Sequence, residues 1–368
     1  MSADPTASPP RSRALPDFPW DVLAPLADEA RRHPEGVIDL SVGTPVDSTP
    51  ELIQAALRHA ANAPGYPTAA GREELRAACS RWLDRVTGAD VATSAIVPTI
   101  GSKEMVAGLP RLLDLGPGSR IVIPKIAYPT YAVGAVLAGA EFIATDQPES
   151  VEGVDLVWLN SPGNPTGSVL SAARLQEIVA WAREVGAVVV SDECYIELGW
   201  EGEPVSLLHP SVSGGSHEGL LALHSLSKRS NLAGYRFGFL AGDPALVSRI
   251  LLVRKHSGMM VPTPIQAAAI AALDDDEHVA EQKERYRRRR DLLAAAVREA
   301  GFRIEHSEAG LYLWLTREEP CWDTVRWFAA RGIVVTPGDF YGPEGRQHVR
   351  MALTVTDDLA GQVPARLA

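Results

Sequence analysis

Three short segments carry residue types that could do chemistry together. The first is His224-Ser225-Leu226-Ser227-Lys228-Arg229, followed by Gly234-Tyr235-Arg236-Phe237-Gly238. Two hydroxyls and a guanidinium beside one lysine can hold a phosphate while the lysine amine meets a carbonyl. That amine is a nucleophile only when unprotonated, so its pKa must fall below the free value of about 10.4, through nearby cations or desolvation. Read alone, the segment is equally well a polar surface loop with a solvated lysine. The second is Asn160-Ser161-Pro162-Gly163-Asn164-Pro165-Thr166-Gly167, dense in turn formers and directly after the apolar run Leu156–Leu159. It would sit at the carboxyl end of a strand, where open α/β sheets bind ligands. Read alone, it is equally well an ordinary surface turn. The third is Ser191-Asp192-Glu193-Cys194-Tyr195, after the apolar run Ala187–Val190. An acid at a strand end can pair with a buried cation, a pyridinium nitrogen for instance, or simply cap the next turn.

Together the three weigh more than singly. In the order Asn loop, Asp-x-x-Tyr, Ser-x-Ser-Lys, Arg, they make the chain resemble the fold-type I pyridoxal 5'-phosphate (PLP) enzymes of the class I/II aminotransferase family, from about Leu40 to Arg350. The resemblance implies a role for each residue. Lys228 would carry the cofactor and shuttle the substrate α-proton. Asp192 would keep the pyridine nitrogen protonated. Asn164 and Tyr195 would hydrogen-bond the cofactor's phenolic oxygen, and Ser225, Ser227 and Arg236 its phosphate. Gly101-Ser102-Lys103-Glu104 opens a helix after the run Ala95–Ile100, so Ser102 and Lys103 join the phosphate set, where helix amides receive anions. Tyr128 would stack on the ring. Tyr66 would reach the phosphate of a neighbouring subunit, which implies a homodimer with shared active sites. Arg350, with a backbone contact at Gly43, would grip the substrate carboxylate. No metal site is expected.

Three further segments resemble the actinobacterial N-succinyldiaminopimelate aminotransferases: Leu15-Pro16-Asp17-Phe18-Pro19-Trp20-Asp21, Asp39-Leu40-Ser41-Val42-Gly43-Thr44-Pro45-Val46-Asp47 and Pro337-Gly338-Asp339-Phe340-Tyr341-Gly342. This implies amino exchange between N-succinyl-LL-2,6-diaminopimelate and 2-oxoglutarate, with glutamate as the biosynthetic donor. It places the reaction in lysine and meso-diaminopimelate synthesis, ping-pong through pyridoxamine phosphate. An aminotransferase for aspartate, alanine or aromatic amino acids, and a PLP-dependent C–S lyase, share the same cofactor motifs. A PLP-binding transcription regulator would carry a DNA-binding domain first. Only about forty residues precede Leu40, and they show no helix-turn-helix.

These residues need a frame. Short apolar runs at Arg120–Ile123, Leu156–Leu159, Ala187–Ser191, Leu220–Ser225 and Phe237–Ala241 look like strands buried on both faces of a parallel sheet. Leu175, Ile178, Val179 and Ala182 recur at helical spacing after a Ser171 cap, and Asp243-Pro244 is a good helix start. A helical stretch from about Pro264 towards Glu299 follows. Beyond it come strands at Arg303–His306, Leu311–Leu315, Ile333–Thr336 and His348–Ala352. The expected class is α/β: by resemblance, a mainly parallel seven-stranded sheet flanked by helices, plus a smaller α+β domain. The expected division is a large domain over residues 45–260, a small one from 16–44 (including Val37–Val42) with 261–368, and a tail over 1–15. The run Arg287-Arg288-Arg289-Arg290 follows Glu281 and Glu284 at pairing distances, so it reads as a solvated helix face.

Composition agrees. The 368 residues suggest two domains, and 46% hydrophobic with 22% charged residues can build a sizeable core. A net charge of -11 argues against a nucleic-acid surface. Cys79, Cys194 and Cys321 form no CxxC pair or disulfide framework. No signal-peptide core and no membrane-length apolar run is present, so the expected location is the cytoplasm.

Overall fold

Apolar runs that are hydrophobic at every position must bury both faces of a strand. The computed structural model, which describes Leu15 and residues 19–368, does this with them. The expected tail, apart from Leu15, and residues 16–18 of the first finer motif lie outside the described residues. The strands in chain order are β1 (Ile38–Asp39), β2 (Ile96–Thr99), β3 (Arg120–Ile123), β4 (Glu141–Ala144), β5 (Leu156–Asn160), β6 (Val188–Asp192), β7 (Leu220–Ser225), β8 (Gly238–Gly242), β9 (Arg303–Glu305), β10 (Tyr312–Thr316), β11 (Ile333–Val334), β12 (Thr336–Pro337) and β13 (His348–Ala352).

A seven-stranded sheet has the order β2-β8-β7-β6-β5-β3-β4. Its neighbours pair in parallel from β7 through β4, while β8 runs antiparallel to both β7 and β2. Side chains alternate between its faces. Val157, Leu159, Val189, Leu220, Ala222, Phe239 and Ala241 enter one core, and Leu156, Trp158, Val190, Leu221, Leu223 and Leu240 the other. The expected strands of this sheet fall within about a residue of their places. β4 was not expected: as an edge strand, with Phe142 43% exposed, it lacks the continuous apolar run that marks its neighbours.

A third core packs around a four-stranded antiparallel sheet, β12-β13-β10-β9. β1 pairs in parallel with β11, Ile38 opposite Ile333, so the N-terminal segment joins the C-terminal part of the chain. The run Ile333–Thr336 is not one strand. It splits at Val335, β11 pairing with β1 and β12 with β13.

Two caps stand where the sequence puts them. The Ser171 hydroxyl accepts from Arg174 N at 3.1 Å, and Asp243 accepts from Ala245 N at 2.7 Å. The helical stretch from Pro264 is two helices, Thr263–Leu273 and Glu277–Glu299, parted at Asp274-Asp275-Asp276. The break lets Asp274 meet Arg81 and Asp276 meet Arg85, each at 2.8 Å. The arginine run is corrected too. Arg287 and Arg288 lie near Glu284 on the surface, but Arg289 is buried against Asp47 and Asp357. One helix face cannot carry four consecutive residues, so the run divides between solvent and core.

Behind the ends of β6 and β7, His224 is sandwiched by Trp82 and Phe239, with ring centroids 5.0 Å away in both cases. Burial pushes its imidazole down to about 3 and the neighbouring Glu193 carboxyl up to about 7. Between pH 6.5 and 3 the unfolded chain therefore binds a proton at residue 224 that the folded chain refuses, and stability falls as pH drops. Glu193 opposes this above about 4.5, where the folded state holds the extra proton. His224→Leu should flatten the curve below about 4.5, where Glu193 no longer opposes it. Urea unfolding at several pH values between about 3 and 4.5 reads this, and an unchanged slope would refute it.

Candidate active site

The parallel strands bring the three chemical segments to one edge. Asn160 ends β5, Asp192 ends β6 in register beside it, and Ser225 ends β7. A cavity of about 680 Å³ opens there. Gly43, Ser102, Lys103, Tyr128, Asn164, Asp192, Tyr195, Ser225, Ser227, Lys228, Arg236 and Arg350 all line it. Of the residues singled out from sequence, only Tyr66 stands apart, 97% exposed on the surface.

The turn at residue 160 is tied to the neighbouring strand. Asn160 Nδ2 donates to the Asp192 carbonyl at 2.9 Å, and Asn160 Oδ1 accepts from Asn164 N at 2.8 Å. Asn164 Oδ1 accepts from Arg350 Nη1 at 3.0 Å. That acceptor is used, so the amide nitrogen is the end of Asn164 left to offer a ligand.

Asp192 is buried. Its carboxylate accepts from the Tyr131 hydroxyl at 2.9 Å and from Cys194 N at 3.2 Å. Among the described residues it has no cationic partner, and desolvation raises its pKa against the pull of hydrogen bonds from Cys194 and Tyr131. Arg350 is the converse. It is 3% exposed, donates to Asn164 Oδ1 and the Ser41 carbonyl, and lies 4.1 Å from the Tyr312 ring centroid. No carboxylate among the described residues pairs with it, and its Nε has no partner. A buried guanidinium without an anion is a place for one.

Lys228 follows Ser225 by one short turn, in which the Ser225 hydroxyl accepts from Ser227 N and donates to Ser227 Oγ. Its Nζ donates to the Gly43 carbonyl. Desolvation lowers the lysine pKa, with Arg350 and Arg236 adding to the effect against Tyr312 and Cys194. The amine is therefore biased towards the neutral, nucleophilic form. The helix Ser102–Leu112 begins at the cavity, which its first residues line together with Ser225, Ser227 and Arg236. Glu104 anchors that terminus: it accepts from Ile100 N at 2.9 Å and pairs with the buried Arg254 at 2.9 Å. Gly101 sits at φ +71°, and a Cβ there would lie 2.3 Å from Arg236 Nη2.

Two tyrosines were missed. Tyr131, three residues after Tyr128, holds Asp192; that i,i+3 spacing at a helix start was the available signal. Tyr312 pairs its hydroxyl with that of Tyr195 at 3.1 Å, stacks against Arg350 and crowds Gly43. It comes from β10, distant in sequence from all its partners, and nothing local marks it.

Comparison with known proteins agrees with this geometry. The family model "Aminotransferase class I and II" matches residues 35–366. "4-dedimethylamino-4-oxo-anhydrotetracycline transaminase OxyQ" of Streptomyces rimosus is 55% identical over 96% of this chain and 99% of its own. "Probable aminotransferase Rv1178" of Mycobacterium tuberculosis is 55% identical over 97% of this chain and 86% of its own. Among solved structures, a "probable N-succinyldiaminopimelate aminotransferase" from Thermus thermophilus superposes with a TM-score of 0.86. It is 27% identical, and the match covers 95% of this chain and 99% of its own.

Such enzymes use pyridoxal 5'-phosphate, and the residues present fit it. The cavity offers a helix N-terminus with hydroxyls and a guanidinium for a phosphate, an unpaired buried carboxylate for a pyridinium, and a desolvated lysine for an aldehyde. Because a side chain at 101 would displace Arg236 and strain the backbone, Gly101→Ala should weaken cofactor affinity about tenfold, equivalent to roughly 1.4 kcal/mol. Titration of the cofactor-free chain with PLP, followed by fluorescence quenching, measures it. Unchanged affinity would remove Arg236 from the phosphate cradle.

Proposed function

The chain belongs to the class I and II aminotransferases, and from that premise we propose that it transfers an amino group between N-succinyl-LL-2,6-diaminopimelate and 2-oxoglutarate, with glutamate as donor in the biosynthetic direction. The observation that carries the catalytic reading is one cavity holding a desolvated amine, an unpaired carboxylate and an unpaired guanidinium.

Each group has work suited to its surroundings. When bound, PLP supplies a sink for the electron pair left at the substrate α-carbon. Lys228 Nζ holds the cofactor and moves the α-proton, which its lowered pKa allows. Asp192, oriented by Tyr131, supplies the negative charge that keeps a pyridine nitrogen protonated. Asn164 Nδ2 and the Tyr195 hydroxyl, the second oriented by Tyr312, would hydrogen-bond the cofactor's phenolic oxygen. Ser102, Lys103, Ser225, Ser227 and Arg236 would take the phosphate, and Tyr128 would stack on the ring. Arg350 takes the substrate α-carboxylate in a bidentate pair, with Gly43 beside it. Tyr66, unused within its own chain, completes the site of a second copy in a homodimer.

The finer substrate assignment rests on the segments around Asp39–Asp47 and Pro337–Gly342, and on the printed name of the Thermus neighbour. A second reading is favoured by the Streptomyces relative, whose name makes it a transaminase of a tetracycline precursor. In that case the amino acceptor is a polycyclic ketone.

Lys228→Ala should lower turnover by about a thousandfold or more, the scale of losing a positioned acid–base group. Near-normal turnover would refute the role of Lys228. Arg350→Lys should raise KM for glutamate about tenfold or more, because an ammonium cannot make the bidentate pair. The substrate is tested by mixing the PLP-loaded enzyme with N-succinyl-LL-diaminopimelate, glutamate, aspartate or alanine. Loss of the visible band with the first two supports the proposal. Reaction with other amino acids but not the succinyl compound removes the pathway assignment and keeps the aminotransferase.

A further inference from the structure

The arginine run of the helix Glu277–Glu299 reads from sequence as a solvated face, yet the helix carries a polar face that is buried. His278, Gln282, Tyr286 and Arg289 follow one another at spacings of four, four and three residues, which places them on a single face. They are between 0% and 7% exposed. A buried polar stripe is costly unless each group is partnered, so its partners reveal what it is for.

Those partners lie on two chain segments, both of which reach the cavity. On the segment that follows Lys228, the Tyr286 hydroxyl donates to the Lys228 carbonyl at 3.4 Å. His278 Nε2 shares a hydrogen bond with Ser230 Oγ at 2.8 Å. Asn231 Nδ2 donates to Gln282 Oε1 at 2.9 Å. On the segment that follows Gly43, Gln282 Nε2 donates to Asp47 Oδ2 at 2.8 Å, and Arg289 grips both Asp47 oxygens at 2.8 and 2.7 Å. Gln282 is the only side chain of the stripe that bonds to both segments, its oxygen taking one and its nitrogen the other. The segments also touch directly, Thr49 Oγ1 donating to the Asn231 carbonyl at 3.0 Å. Asn231 has φ +54°, a left-handed conformation that asparagine tolerates better than most residues.

At the far ends of these two segments, Lys228 Nζ donates to the Gly43 carbonyl. The stripe thus closes a frame. One side runs from Lys228 to Asn231, the other from Gly43 to Asp47, and Gln282 spans the gap between them.

We propose that Gln282 and Asp47 are positioning residues: they fix the Gly43 segment against the Lys228 segment and so set the approach of a substrate carboxylate to the lysine amine. The inference rests on the roles assigned to Lys228 and Gly43 above. Arg289 supports Asp47 by neutralising its charge in a water-poor setting, and neither residue touches the cavity.

The test uses full-length Gln282→Leu and Asn231→Gly. The first removes the bridge while keeping bulk. The second removes the Asn231 side chain while keeping a residue that accepts positive φ. Hydrogen–deuterium exchange is read in peptides covering residues 40–49 and 226–233. Both segments should exchange faster together in Gln282→Leu, with the seven-stranded sheet unchanged. In the PLP-loaded enzyme, KM for glutamate should rise about tenfold, with kcat falling by a smaller factor, the scale of losing one bridging group. A merely structural role would lower the active fraction and the apparent kcat, leaving KM alone. Exchange that changes in one segment only, or an unchanged KM, overturns the inference. Coupled exchange in a protein whose Lys228→Ala variant turns over normally overturns the catalytic roles and upholds the frame.

Discussion

Several ionisable groups meet in one cavity, and three of them, Asp192, Arg350 and Lys228, have no ion-pair partner among the described residues. Among the described residues Asp192 has no cationic partner and Arg350 no carboxylate, and Lys228 lies where its charged form is disfavoured. Taking such groups out of water costs several kcal/mol each unless something repays it. The neutral groups around them serve that end. Tyr131 and Cys194 N stabilise the carboxylate, and Asn164, Ser41 and the Tyr312 ring stabilise the guanidinium. The site thus holds its ionisable groups in place without neutralising them, and leaves neutralisation to a ligand.

The sheet makes this possible because its strands end together. Parallel pairing aligns the carboxyl ends of β5, β6 and β7, so Asn160, Asp192 and Ser225 become neighbours without any long-range design beyond register. Slipping one of these strands by one residue would point its terminal side chain to the other face. The alternation of buried side chains into two cores is what holds that register.

Much of this was legible in the sequence, for a physical reason. Residues placed by strand ends, such as Asn164, Asp192, Ser225 and Lys228, sit beside apolar runs that announce the strands. Where position depends on partners far along the chain, the signal fades. Tyr312 is an ordinary strand tyrosine until β10 pairs with β13 and brings it to Arg350. The arginine run at 287–290 looks uniform as letters, yet helical geometry turns Arg289 inward to Asp47. β4 was invisible because an edge strand has no need of two apolar faces. Tyr66 is placed, but within one chain it meets only solvent.

The reversed direction of β8 has a consequence for how such a chain can change over time. Ser225 at the end of β7 stands directly opposite Gly238 at the start of β8. Everything between them, Lys228 and Arg236 included, is a short connection with helical turns at Leu226–Arg229 and Ala233–Tyr235, whose two ends are stapled to each other by the sheet. Its length is therefore fixed by geometry at both ends and by the helix Glu277–Glu299 in the middle. An inserted or deleted residue there would shift the lysine relative to the arginine with no slack to absorb it. The exposed turn at 201–203 is tied, among the described residues, only through Glu201, to Glu308 and Arg290, and belongs to no sheet. A change of length would be absorbed there more readily than between Ser225 and Gly238.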